Sequence, residues 1–110
     1  MEANEVLKQI SDTYKALHPH MIYYALRELR FPRITDRTVD LIRWCIAIQR
    51  VGFRISTPLL EAVCGDNSAR TLPKLHNLGD KEVLVLIRPK VQQKRFHWMV
   101  SDVFMRKVFN

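Results

Sequence analysis

The spacing of apolar residues switches from a helical to a strand period after Leu78, and that switch limits the fold more than any other feature. As far as Leu78 they recur at three- and four-residue intervals, the period of helices with one buried stripe. Val83-Leu84-Val85-Leu86-Ile87 then runs as an unbroken aliphatic, β-branched block, which reads as a strand. Arg88-Pro89-Lys90-Val91-Gln92-Gln93-Lys94 reads as a loop. Arg95-Phe96-His97-Trp98-Met99-Val100 returns as a second strand, with Phe96, Trp98 and Val100 on one side. The sequence therefore predicts a mainly α protein with a small β-hairpin. At 110 residues it suits a single domain.

Within the helical part, Leu7, Ile10, Tyr14 and Leu17 mark a first helix from Asn4 to Leu17, with Asn4 as N-cap. Pro19 should interrupt. A second helix runs from about His20 to Arg30 on Ile22, Ala25, Leu26 and Leu29, and Phe31-Pro32-Arg33 ends it. A third begins at Thr35 or Asp36 and reaches Arg50, with Leu41, Cys45 and Ile48 on one face, Ile42 and Ile46 beside them, and Gly52 closing it. Phe53-Arg54-Ile55 is a short extended piece. Ser56 or Thr57 before Pro58 marks a fourth, short helix to Cys64, because proline in a first turn sacrifices no hydrogen bond. Gly65 ends it, and Asp66, Asn67 and Ser68 offer the next cap. A fifth helix carries Leu72, Leu75 and Leu78 and stops at Gly79. Ser101 caps a last helix through Phe109, with Val103, Phe104 and Val108 turned inward.

Hydrophobic residues at 47% and charged residues at 26% describe a packed protein rather than a disordered one. The Val83–Ile87 run is far too short to span a bilayer, and the acidic, polar Met1-Glu2-Ala3-Asn4-Glu5 does not resemble a secretory signal. A cytoplasmic protein with no membrane partner is expected. Cys45 and Cys64 each sit among apolar neighbours and read as buried thiols, not as a disulfide or a zinc site. His18-Pro19-His20 straddles a helix junction. That spacing can hold a metal, but it more often caps and solvates a turn, and no metal or cofactor is expected. The sequence has no Gly-rich phosphate loop, nucleophile elbow or metal-ligand cluster. Glu61 and Asp66 are isolated acids, so the chain does not read as an enzyme.

The formal charge is +7 and the sequence pI about 9.9, an excess that attracts polyanions, nucleic acid first. Its placement is more telling. From Val83 to Trp98 there are four basic residues and no acid.

From residue 35 onward the element order is helix, short strand, helix, helix, strand, loop, strand. In that order, and in Ser56-Thr57-Pro58-Leu59-Leu60-Glu61-Ala62-Val63-Cys64-Gly65, in Asn67 to Gly79 with its Lys74-Leu75-His76-Asn77-Leu78-Gly79 ending, and in the Val83–Val100 hairpin, the chain resembles the winged helix-turn-helix superfamily, MarR-type repressors most. The resemblance implies a winged-helix core over 35–100, an N-terminal helical extension over 1–33 and a C-terminal helix over 101–110. It implies a recognition helix near 67–78 that enters the major groove, with Asn67, Ser68, Arg70, Thr71, Lys74 and Asn77 as its contact residues. Arg70 can read guanine edges, and Ser68 and Thr71 can bond phosphates or bases. The basic wing adds Arg88, Lys90, Gln92, Gln93, Lys94 and Arg95, and Arg33 and Arg37 are further backbone candidates. Pro73 departs from the pattern. If the helix starts at Ser68, its early turns are distorted; if Thr71 is the cap, it is only about two turns long.

The function expected on this basis is sequence-specific binding of double-stranded DNA by a transcriptional regulator. Symmetric operators favour a homodimer, with Leu7, Ile10, Tyr14 and Leu17 of the first helix and Phe104, Val108 and Phe109 of the last as its surface. In the alternative, both helices complete the monomer core. The alternative function is a winged helix used for protein contacts in a nucleic-acid-processing assembly, its basic face meeting an acidic partner.

Overall fold

The computed structural model describes residues 3–65, 83–87 and 97–110. Their order is α1 (Ala3–Ala16), α2 (Pro19–Glu28), α3 (Asp36–Val51), α4 (Thr57–Cys64), β1 (Leu84–Ile87), β2 (His97–Val100) and α5 (Asp102–Phe109). The described part is mainly helical with one small antiparallel pair of strands. The fifth helix expected between Ser68 and Leu78, with Pro73, lies outside the described residues.

Local chemistry explains most of the boundaries. Thr35 caps α3 with its hydroxyl accepting from the Thr38 N–H at 3.1 Å, and Ser56 and Ser101 do the same for α4 and α5 through Leu59 and Phe104. Gly52 leaves α3 at φ 102, in the left-handed region where a side chain is strained. Its N–H reaches the Gln49 carbonyl while that of Phe53 reaches Ile48.

One boundary differs from expectation. Asn4 lies inside α1, which starts at Ala3, so it is not the N-cap. Pro19 marks the break between α1 and α2 as expected, and is itself the first residue of α2, where its fixed φ suits the first turn. The end of α2 is set before Pro32. Arg30 takes φ 56, its N–H bonds to Arg27, and that of Phe31 bonds to Leu26. This is the paired closure usually built on glycine, here with arginine in the left-handed position.

At the centre lies α3, with α1, α2, α4 and β2 packed around it. Val39, Leu41, Ile42, Cys45, Ile46, Ala47 and Ile48 are all buried, a wider apolar surface than one face. A helix covered on several sides keeps only a narrow solvated stripe, here Asp36, Arg37, Asp40 and Arg50. Arg43 ties α1 to it. Its Nε donates to the Tyr14 carbonyl at 2.9 Å and its guanidinium lies 3.9 Å from the centre of the Tyr14 ring. Tyr14 also stacks on Trp44 and donates its hydroxyl to Asp40. Burial, then the Asp40 carboxylate, raises the Tyr14 pKa.

The residues proposed from sequence as a dimer surface are largely consumed by this core. Ile10, Leu17, Phe104 and Val108 are buried within the chain itself, and Tyr14 is half-buried against Trp44. Only Leu7 and Phe109 of that set are exposed, and the Arg50 guanidinium sits 4.3 Å from the Phe109 ring centre. These faces complete the monomer, because α1 packs on α3 and α5 on α2. Val103, expected to point inward, is 56% exposed; Phe104 and Val108 already fill the inner face of α5.

In the strands, Leu84 pairs with Val100, Val85 with Met99, Leu86 with Trp98 and Ile87 with His97. Val100 is buried and Trp98 half-buried, as the alternation predicts; Phe96 lies outside the described residues. The far side of β2 is also satisfied. The Trp98 N–H donates to the Ile55 carbonyl at 2.8 Å, so the short extended piece before α4 is bridged to the outer side of β2 at one position. One step on, the Gln49 side chain of α3 meets the Val100 backbone twice. Gln49 Oε1 accepts from its N–H at 2.7 Å and Nε2 donates to its carbonyl at 3.4 Å. Gln49→Leu keeps the volume and removes both partners, leaving two backbone groups unsatisfied at the join of helix and sheet. Denaturant unfolding should show a loss of about 1–3 kcal/mol; a loss below about 0.5 kcal/mol would mean that the clamp is unimportant.

Candidate nucleic-acid interface

The residues expected to touch DNA fall into three groups. Asn67, Ser68, Arg70, Thr71, Lys74 and Asn77 lie outside the described residues, as do Arg88, Lys90, Gln92, Gln93, Lys94 and Arg95. Arg33 and Arg37 are described, and both are exposed. What the structure supplies for the first two groups is their anchoring points.

The first anchor is α4. Ser56 caps it, Pro58 occupies its first turn, and Leu60 is buried against the core. It ends where the Gly65 N–H meets the Glu61 carbonyl at 2.9 Å. Gly65 has φ 91 and ψ 170, a conformation open essentially to glycine alone. The direction in which the chain departs toward residue 67 is thus set by a residue without a side chain.

The second anchor is the strand pair. Ile87 and His97 face each other at its last register position. The segment carrying Arg88, Lys90, Lys94 and Arg95 leaves from one and returns to the other. The four cations therefore belong to one excursion whose two ends are held side by side. Connectivity and the Ile55–Trp98 bridge link this sheet to the residue just before the α4 cap.

Arg33 and Arg37 belong elsewhere. Arg33 sits between α2 and α3, and Arg37 lies in the first turn of α3. Gln49, which holds β2, is twelve residues further along α3, about 18 Å along the axis. The structure does not bring these two arginines to the base of the strand pair. The positive end of a helix disfavours a cation, so Arg37 gains nothing there from the helix itself.

Sequence reasoning missed Arg54. It is exposed and lies next to Ile55, the residue that joins the sheet. Its charge reaches His97. Burial, and secondarily Arg54, lowers the pKa of His97, whose Nδ1 is buried with no hydrogen-bond partner among the described residues. The only sequence signal was a cation inside a short extended piece, and its neighbour across the sheet is a long-range fact. The sign of the pH effect follows. The unfolded chain takes up the His97 proton near pH 6.5 and the folded chain only below that, so the neutral histidine supports the fold above about pH 6.5 and that support fades as pH falls. Urea midpoints should drop on acidification from about pH 6.5, and His97→Gln should flatten part of that drop. An identical slope in the variant would remove His97 from the account.

The remaining candidates resolve simply. Cys45 is buried and burial pushes its thiol pKa up, so it is unreactive; Cys64 is half-buried on α4, and neither is in a disulfide. His18 and His20 are exposed on either side of Pro19, and among the described residues no group of three His, Cys, Asp or Glu is placed to hold a metal. A cleft of about 350 Å³ opens between Pro19 and the Asp36, Val39, Asp40 and Arg43 side of α3. Of its polar groups, Asp40 and Arg43 are already engaged with Tyr14. Among the described residues no helix is long and apolar enough to cross a membrane.

No family model, no curated protein and no solved structure matches this chain.

Proposed function

We propose that this chain is a sequence-specific double-stranded DNA-binding protein of winged helix-turn-helix type, acting in transcription regulation. The observation that carries the reading is the antiparallel pairing of β1 and β2, with Ile55 joined to the far side of β2. A short strand before the first helix of the pair, bridged to the second strand of a hairpin, is the connectivity the winged-helix reading requires. The same pairing gathers Arg88, Lys90, Lys94 and Arg95 into one excursion between Ile87 and His97. In this reading α4 is the first helix of the pair, Gly65 begins the turn, residues 67–78 carry the groove contacts, and residues 88–95 neutralise phosphate.

If the protein reads a palindromic operator as a homodimer, the two-fold surface must lie outside Ile10, Leu17, Phe104 and Val108. Selection of bound sequences from random duplexes tests the function directly. A single enriched motif supports sequence-specific reading, and a palindromic one supports the dimer. Negligible duplex binding at low salt would exclude it and favour contact with an acidic protein.

A further inference from the structure

The outward face of α2 has a composition that the fold does not explain. His20, Tyr23, Tyr24 and Arg27 are spaced by three, one and three residues, which sets them on one side of the helix. Ile22, Ala25 and Leu26 on the other side are buried. Tyr24 is 59% exposed and Tyr23 38% exposed, so neither ring is spent on the core. The two rings meet edge to face with centroids 5.8 Å apart, and the Arg27 guanidinium lies 5.8 Å from the Tyr23 ring centre. From His18 to Thr35 the sequence carries three arginines and two histidines against one acid, Glu28. That acid is paired with Lys107 of α5 at 3.4 Å. The face is therefore aromatic and cationic together.

From this we infer that the α2 face binds single-stranded nucleic acid, separately from the duplex surface proposed above. Exposed tyrosine rings offer a π-face to any unpaired base, and stacking of this kind tolerates any sequence. Arg27, beside the Tyr23 ring, supplies positive charge for the backbone that runs past those rings. A base pair inside a duplex cannot present its face to Tyr24, so the ligand is unpaired. A second copy of this chain fits less well. A two-fold contact centred on Arg27 sets like charges against each other, and the net charge of +7 opposes self-association generally.

The test uses the whole chain and a labelled oligothymidylate of about twelve nucleotides, beside a random-sequence duplex. Tyr23→Ala and Tyr24→Ala should each weaken oligothymidylate binding about tenfold or more, Tyr24→Trp should retain it, and duplex binding should be unchanged in all three. Both tyrosines are exposed, so circular dichroism should show an unaltered fold. Unchanged oligothymidylate binding in the alanine variants overturns the inference. So does a parallel loss of duplex and single-strand binding, which would make the face part of the duplex interface. A self-association seen by sedimentation and lost in Tyr24→Ala also overturns it, and would make the face a protein contact. Loss of duplex binding by the unmodified chain, with the oligothymidylate result intact, would instead sink only the function proposed above.

Discussion

Replacing Arg88, Lys90, Lys94 and Arg95 together by glutamine should weaken duplex binding about a thousandfold at about 0.15 M salt. Each phosphate contact displaces close to one condensed counterion, so log affinity falls with log salt at a slope of about 0.9 per contact. Four contacts account for about 3 to 4 of that slope, and at about 0.15 M each is worth about fivefold. The loss should shrink as salt rises, and the lines for parent and variant should converge toward about 1 M, where counterion release no longer favours binding. The convergence discriminates. A variant that lost base contacts would run parallel to the parent at every salt concentration, and a merely solvated loop would leave the slope unchanged. The four cations sit between the paired Ile87 and His97, so the exchange leaves the described strand register and its core contacts untouched. An unaltered slope with an intact circular dichroism spectrum would end the phosphate-binding account of this segment.

Phe104→Ala should be the most damaging single substitution for stability. Phe104 is fully buried in α5, one turn after the cap supplied by Ser101, where α5 packs on α2. Truncating a buried phenylalanine removes its transfer free energy and leaves a cavity, at about 3–5 kcal/mol. Small domains hold only about 5–15 kcal/mol in total, so a midpoint fall of about 15 °C or more is expected in thermal unfolding. Val103→Ala, one residue earlier and exposed, should change stability by about 0.5 kcal/mol or less. The pair also decides whether α5 completes the monomer or forms a dimer. If Phe104 served a subunit interface, the parent's unfolding midpoint would rise with protein concentration; a core residue predicts a constant midpoint. A loss below about 1 kcal/mol would contradict the burial of α5.

Features that depend on neighbours in sequence were legible. Thr35, Gly52 and the Ser56-Thr57-Pro58 start were read because caps and first-turn prolines act within four residues. The two strands were legible because the aliphatic block breaks the helical period. What depends on distant partners was not. The wide burial of α3 comes from being surrounded by α1, α2, α4 and β2, and periodicity alone showed one face with flanks. The left-handed Arg30 was hidden because glycine or asparagine is the usual signal there, and Pro32 nearby offered a more familiar stop. A polar Gln49 in a buried helix carried no indication that its partner was Val100. For the interface, Arg33 and Arg37 read from sequence as DNA-backbone candidates; both are exposed, and their separation from the strand pair follows from the length of α3. Arg54 became visible only once Ile55 was seen beside Trp98.

The amide of Gln49 and the carbonyl of Ile55 have a further effect when many copies of the chain are crowded together. A small sheet normally leaves one row of backbone groups that a stray strand from another molecule can copy, which is how fibrils begin. Here the outward N–H of Trp98 and both outward groups of Val100 are already occupied from within. Among the described residues this side of the sheet offers no template for growth, so copies of a chain with a net charge of +7 can crowd along a polyanion without knitting to one another there.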